Sequence, residues 1–106
     1  MKSKWPVYTV NEIKKVIKVI KSNKVNYWTG EEGKKFETEF SKYFGLKYSV
    51  AVANASLGLE CALKALNIKK GDEVIVPSKS YVSSASCVVN VNAKPIFCDV
   101  NLKDYH

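Results

Sequence analysis

Arginine is absent from this 106-residue chain: all seventeen basic residues are lysines, and the formal net charge is +7. Recognition of bases and of nucleic-acid phosphates leans on the bidentate guanidinium fork, so a nucleic-acid partner is not expected despite the positive balance. Lysines scattered over helix faces read as solvated surface, and their field would favour anionic small substrates such as nucleotides. Histidine is nearly absent too, the single one being the last residue. The three cysteines, Cys61, Cys87 and Cys98, form no C-x-x-C pair and have no histidine at ligand spacing. No metal site or Cys-His nucleophile is therefore expected, and the thiols are read as buried small hydrophobes, two in helices and Cys98 in a strand. No apolar run approaches the ~20 residues that span a bilayer, and no apolar segment follows the basic start as in a signal peptide. No membrane association is expected, and cytoplasmic residence is the default. There is neither a G-x-G-x-x-G nor a Walker-type loop, which argues against a dinucleotide site or an ATP site of the usual kind.

What is present is enough apolar residue, 46% against 25% charged, for one globular unit. Thr9-Val10-Asn11-Glu12 has the S/T-x-x-E form of a capping box, and Ile13, Val16, Ile17 and Ile20 follow at helical spacing, predicting an amphipathic helix over 10–21. Thr29-Gly30-Glu31-Glu32 has the same form and predicts a second helix with Phe36, Phe40, Tyr43 and Phe44 on one stripe, ending at Gly45 in the left-handed region. Residues 49–53 are a near-continuous run of small apolar residues, as in a parallel strand covered on both faces. A helix over 57–66, a strand over 73–77, a helix over 81–90 and a strand over 95–99 complete the order α-α-β-α-β-α-β. The fold class is thus α/β with parallel strands, and ligands are expected beyond the carboxyl ends of those strands. A boundary near Gly45-Leu46-Lys47 would separate a helical arm, 1–45, from the α/β body, 46–106.

Asn54-Ala55-Ser56 lies at the carboxyl end of the first predicted strand. Free amides and a hydroxyl at a helix start could hold a phosphate there; equally, Asn54 or Ser56 could simply cap the helix. Tyr81 follows the second strand, where its ring could cover a flat cofactor or only pack at a helix start. Two strand ends converging on one crevice describe a site better than either does separately. Asp99, ending the third strand, reads as a hydrogen-bond acceptor in that crevice or as a turn former. Tyr27, Trp28 and Thr29 read as an interface, a substrate rim, or a staple closing the second helix.

Trp28-Thr29-Gly30 with Phe36-Glu37, then Val52-Ala53-Asn54-Ala55-Ser56-Leu57-Gly58-Leu59, then Gly71-Asp72-Glu73-Val74-Ile75-Val76-Pro77-Ser78, and last Ala93-Lys94-Pro95-Ile96-Phe97-Cys98-Asp99-Val100 resemble the DegT/DnrJ/EryC1/StrS aminotransferases. That family comprises fold type I pyridoxal-phosphate enzymes acting on nucleotide-linked keto sugars. The resemblance implies that Ala55 and Ser56 bind the cofactor phosphate and that Tyr81 stacks on its ring. Ser56 stands where threonine is more usual, and Leu57 where Ala or Val is; neither change removes the contacts. The resemblance further implies a homodimer with sites completed across the interface, near 27–30, and glutamate as amino donor.

The family's chains are several times longer. The lysine that forms the Schiff base and the aspartate that pairs with the pyridinium nitrogen lie, in the family, beyond the third strand. The resemblance therefore implies an N-terminal segment, with 46–106 the incomplete start of the cofactor-binding domain. No catalytic residue is assigned here, and the chain alone is expected to be inactive. A dehydratase of the same family, with His in place of that lysine, or a non-catalytic remnant acting in protein association, are the alternatives.

Overall fold

The computed structural model describes residues 5–103. The elements run α1 Val10–Lys21, α2 Glu32–Tyr43, α3 Ala55–Ala65, β1 Glu73–Pro77, α4 Ser83–Asn90 and β2 Lys94–Cys98. The chain divides into two compact units, one up to Ala51 and one from Val52.

In the first unit, α1 begins with the capping box its sequence announces. The Thr9 N–H donates to Glu12 Oε2 at 2.6 Å, and the Glu12 N–H donates back to Thr9 Oγ1 at 3.3 Å, so two donors that the helix cannot use are satisfied. The Thr9 N–H first, and second its hydroxyl, which also donates to Glu12 Oε2 at 2.7 Å, hold the Glu12 carboxyl below its ordinary range. The apolar stripe of α1, from Ile13 to Ile20, is exposed.

The second capping box does not form. Glu31 is the N-cap of α2 and makes no side-chain cap bond. Asn26 takes Thr29 instead: its Oδ1 accepts from the N–H groups of Trp28 and Thr29 and from the Thr29 hydroxyl, at 2.9–3.1 Å. A nearby Asx side chain outcompetes a box that would need Thr29 itself to cap. The aromatic stripe of α2 does form, with Phe36, Phe40 and Phe44 stacked in sequence at 5.6 and 4.6 Å between centroids. The helix ends as expected at Gly45, φ +65°. There the Leu46 N–H donates to the Ser41 carbonyl and the Gly45 N–H to that of Lys42, which is a Schellman closure.

The same closure ends α3 and α4 with asparagine in the left-handed position, Asn67 at φ 60° and Asn92 at φ 61°. Asn23 is also left-handed after α1, at φ 57°, but there the Lys24 N–H donates to the Ser22 hydroxyl and the full closure does not form. Among non-glycine residues asparagine tolerates this region best.

The predicted first strand is not formed: residues 49–53 are irregular, and the sheet of the described residues has two strands rather than three. A strand is defined by the neighbour it bonds to, and here the Ala51 N–H and the Ser49 hydroxyl donate to Glu37 of α2 instead. The observed order is accordingly α-α-α-β-α-β. β1 and β2 are parallel, in the register Glu73 with Lys94 through Pro77 with Cys98, and α4 makes the crossover that parallel pairing requires. Val76, Cys87, Val88, Val91 and Ala93 form the core, with Leu63, Ile68, Val74 and Ala85 packed against it. Cys87 is buried as expected, whereas Cys61 and Cys98 are exposed. Cys61 falls on the open side of α3, and β2 belongs to a sheet too narrow to be covered on both faces.

Candidate functional site

α3 starts two residues earlier than its apolar pattern indicates, at Ala55, with Asn54 as N-cap. The Asn54 side chain accepts the Leu57 N–H at 3.0 Å, and its carbonyl accepts that of Gly58 at 3.1 Å. Of the two possible caps, it is therefore Asn54 that serves. This leaves the N–H groups of Ala55 and Ser56, the first two of the helix, with no acceptor among the described residues, and the half-buried Ser56 hydroxyl likewise makes no bond. The first turn contains no acidic side chain. Two free amides and a hydroxyl at the positive end of a helix, with no competing carboxylate, form a donor set suited to a phosphate group.

Tyr81 lies between β1 and α4, which begins at Ser83 rather than at Tyr81. Its carbonyl accepts the Ser84 N–H at 3.0 Å, and its ring is 76% exposed. Ser80 and Ser84 hydroxyls bond each other at 2.7 Å beside it. The phosphate-suited turn and Tyr81 thus belong to one packed unit, in which α3 and α4 contact each other directly. No hydrogen bond or ring contact among the described residues joins Tyr81 to the α3 turn. Glu60 ties the two helices: it pairs with Lys64 at 2.7 Å and accepts from the Asn90 amide at 3.2 Å. Lys64 chiefly, and Asn90 next, hold the Glu60 carboxyl below its usual range, and Glu60 in turn raises the Lys64 ammonium.

Asp99 accepts the N–H of its neighbour Val100 at 2.8 Å, in keeping with a turn-forming role. In the first unit Tyr27 closes onto α2 while Trp28 stays 87% exposed, edge-on to it. The Tyr27 ring lies over Gly33, where a Cβ would come within 2.8 Å of it, and its hydroxyl donates to Glu37 Oε2 at 3.0 Å. That bond raises the Tyr27 phenol above its ordinary value. Glu37 is a polar centre that no local pattern reveals, because its partners lie ten residues before it and up to fourteen after it. The glycine one turn ahead of it, unexplained by helix propensity, is the sequence trace it leaves. Among the described residues no cluster of His, Cys, Asp and Glu could hold a metal, and no helix is long and apolar enough to cross a membrane.

A parallel β-α-β unit preceded by a helix with a phosphate-suited first turn is the architecture of fold type I pyridoxal-phosphate transferases, and solved members of that class superpose on the chain. The aminotransferase from Psychrobacter cryohalolentis does so with a TM-score of 0.89 and 48% identity, over 93% of this chain and 25% of its own. A sugar aminotransferase from Streptococcus pneumoniae, solved in its PLP form, gives a TM-score of 0.82 at 31% identity, over 94% of this chain and 25% of its own. The chain belongs to the DegT/DnrJ/EryC1/StrS aminotransferase family, whose model matches residues 6–106. Among curated relatives, L-glutamine:2-deoxy-scyllo-inosose aminotransferase of Streptomyces fradiae is 45% identical over 73 residues, 69% of this chain. GDP-perosamine synthase of Vibrio cholerae is 40% identical over 76 residues, also 69% of this chain. The chain spans 17% and 21% of the lengths of these two relatives. A GDP-4-keto-6-deoxymannose-3-dehydratase is also similar, with a TM-score of 0.80 at 29% identity, over 93% of this chain and 27% of its own. The family's cofactor is pyridoxal 5'-phosphate.

Proposed function

We propose that this chain supplies part of the cofactor pocket of an aminotransferase acting on nucleotide-linked keto sugars, with glutamate as amino donor and a homodimer as the working assembly. The observation that carries the reading is the first turn of α3, where the Ala55 and Ser56 amides and the Ser56 hydroxyl stand without partners. These three donors would take the cofactor phosphate, each amide giving a charge-assisted bond and the helix dipole adding to them. Tyr81, exposed after β1, would cover the ring. When bound, pyridoxal phosphate supplies the electron sink through which an amino group moves between donor and acceptor. The contribution of this chain is to bind and orient: its cap residue Asn54 keeps the turn in helical geometry without using the two amides the phosphate needs. The names of the relatives, which include a GDP-perosamine synthase, support a nucleotide-linked sugar as acceptor.

None of the seventeen lysines is assigned a covalent role, and the 106-residue chain made by itself is expected not to transfer amino groups. The test is the Ser56→Ala variant of the complete gene product. Its dissociation constant for pyridoxal phosphate, read by equilibrium dialysis, should rise about tenfold, the scale of one hydrogen bond to a charged group. An unchanged constant would remove Ser56 from the pocket. A second reading, dehydration of the sugar, is favoured by the similarity to the 3-dehydratase. Incubating the gene product with a nucleotide-linked keto sugar separates the two: the aminotransferase yields an amino sugar, the dehydratase a deoxy sugar.

A further inference from the structure

Tyr81 is not held by its own side chain: the ring is 76% exposed and makes no ring contact or hydrogen bond among the described residues. What fixes it is the backbone on either side. The Ser78 N–H donates to the Cys98 carbonyl at 3.1 Å, so the segment leaves β1 from a point tied to β2. Further on, the Ser84 N–H donates to the Tyr81 carbonyl at 3.0 Å. The Ser80 and Ser84 hydroxyls, one residue before Tyr81 and three after it, bond each other at 2.7 Å. The N-cap of α4 is Val82, with no side-chain cap bond, so the hydroxyl pair is the side-chain bond that closes the entry to this helix. Ser84 is half-buried, one turn before Val88 of the core, whereas Ser80 is exposed. The pair therefore ties an exposed segment to the packed part of its own unit.

We propose that Ser80 and Ser84 are positioning residues for the Tyr81 ring. With the pair intact, the backbone that carries the ring is fixed on both sides, and the ring gives up little more than its own side-chain freedom when it covers a flat cofactor. This rests on the reading of Tyr81 as the residue that covers pyridoxal phosphate. Removing either hydroxyl leaves the backbone bond from Ser84 to Tyr81 but releases Ser80, and the backbone so freed must be ordered again on binding. The bond needs one proton from either hydroxyl, and threonine supplies the same oxygen and proton at both positions. Alanine at one position breaks the bond as fully as alanine at both, so the two losses do not add.

The experiment uses the complete gene product, with pyridoxal phosphate as the probe. Its dissociation constant is read together with the circular dichroism of the bound cofactor at saturation, which reports how the ring is held. Ser80→Ala and Ser84→Ala should each raise the constant about fivefold, the scale of one neutral hydrogen bond, and weaken the dichroic band. The double variant should lose no more than either single one. Ser80→Thr should stay within about twofold of the parent, with the band restored. If Ser84→Ala does not fold, Ser80→Ala, at an exposed position, carries the test. Parental binding and dichroism in Ser80→Ala, a double variant whose loss is the product of the two, or a Ser80→Thr as weak as Ser80→Ala overturns the proposal. Tyr81→Ala separates the two failures. With no effect there, the reading of the ring itself falls; with a loss there and none in Ser80→Ala, positioning alone falls.

Discussion

Up to Ala51 the one buried residue among those described is Gly30, whereas from Val52 five apolar side chains, Val76, Cys87, Val88, Val91 and Ala93, are buried together. The first unit is fastened by polar side chains: Thr9 and Glu12 each bond the other's backbone, Asn26 the peptides after it, and Glu37 the Tyr27 hydroxyl and the Ala51 peptide. The second is fastened by a parallel strand pair and a small core. Polar fastening fixes local geometry but contributes little net stability per bond, about 1 kcal/mol, while core burial is worth more per side chain. The proposed phosphate turn is carried by the unit with the core, and the exposed Trp28 by the unit without one.

The largest test of that contrast is Val88→Ala. Val88 is the most deeply buried side chain, 1% exposed, and its truncation should destabilise the second unit by about 2–3 kcal/mol, through lost transfer energy and the cavity left behind. Urea unfolding followed by amide exchange would show the loss confined to residues from Val52 onward; a loss shared by α1 and α2 would mean the two units unfold as one. Next comes Gly30→Ala. A Cβ there would lie 2.5 Å from the Lys24 carbonyl oxygen and 2.9 Å from that of Asn26, so the loop must shift. The expected cost is about 2 kcal/mol, and it should appear in exchange rates of residues 24–30. A neutral result would show that polar fastening yields where a core does not.

The smallest effect expected is at Glu60. Its folded pKa is lowered by Lys64 and Asn90, so its contribution is full above the ordinary carboxylate value and fades as pH falls through the lowered one. Lys64, raised by the same pair, loses its share only as pH rises through its folded value. Glu60→Gln should therefore lower the urea midpoint at pH 7 and leave it unchanged at pH 2. An equal shift at both values would assign the effect to packing.

Local signals were legible. The Thr9-Glu12 box, the Gly45 exit, β1 over 73–77 and a strand within one residue of β2 follow from short-range pattern, whereas α3 begins at Ala55, two residues before its apolar pattern does. What depended on distant partners was not. Residues 49–53 have strand composition but bond to Glu37 instead of to a strand, and Thr29 has the right spacing for a box but is taken by Asn26. The bonds of Glu37 reach ten residues back and fourteen ahead, and the exposure of Cys61 and Cys98 follows from which faces the packing leaves open.

The asparagine exits have a consequence for the unfolded chain. At Asn23, Asn67 and Asn92 the backbone turns left-handed in a residue that still carries a Cβ. A glycine would enter that region without steric cost, yet it would also give the denatured ensemble more conformations to lose. Three of the four helices among the described residues thus stop at residues that restrict the disordered chain as well as ending the ordered one. Among the described residues more left-handed positions fall on asparagine, three, than on glycine, two, and in such a chain an asparagine after an apolar helical stripe reads as a full stop.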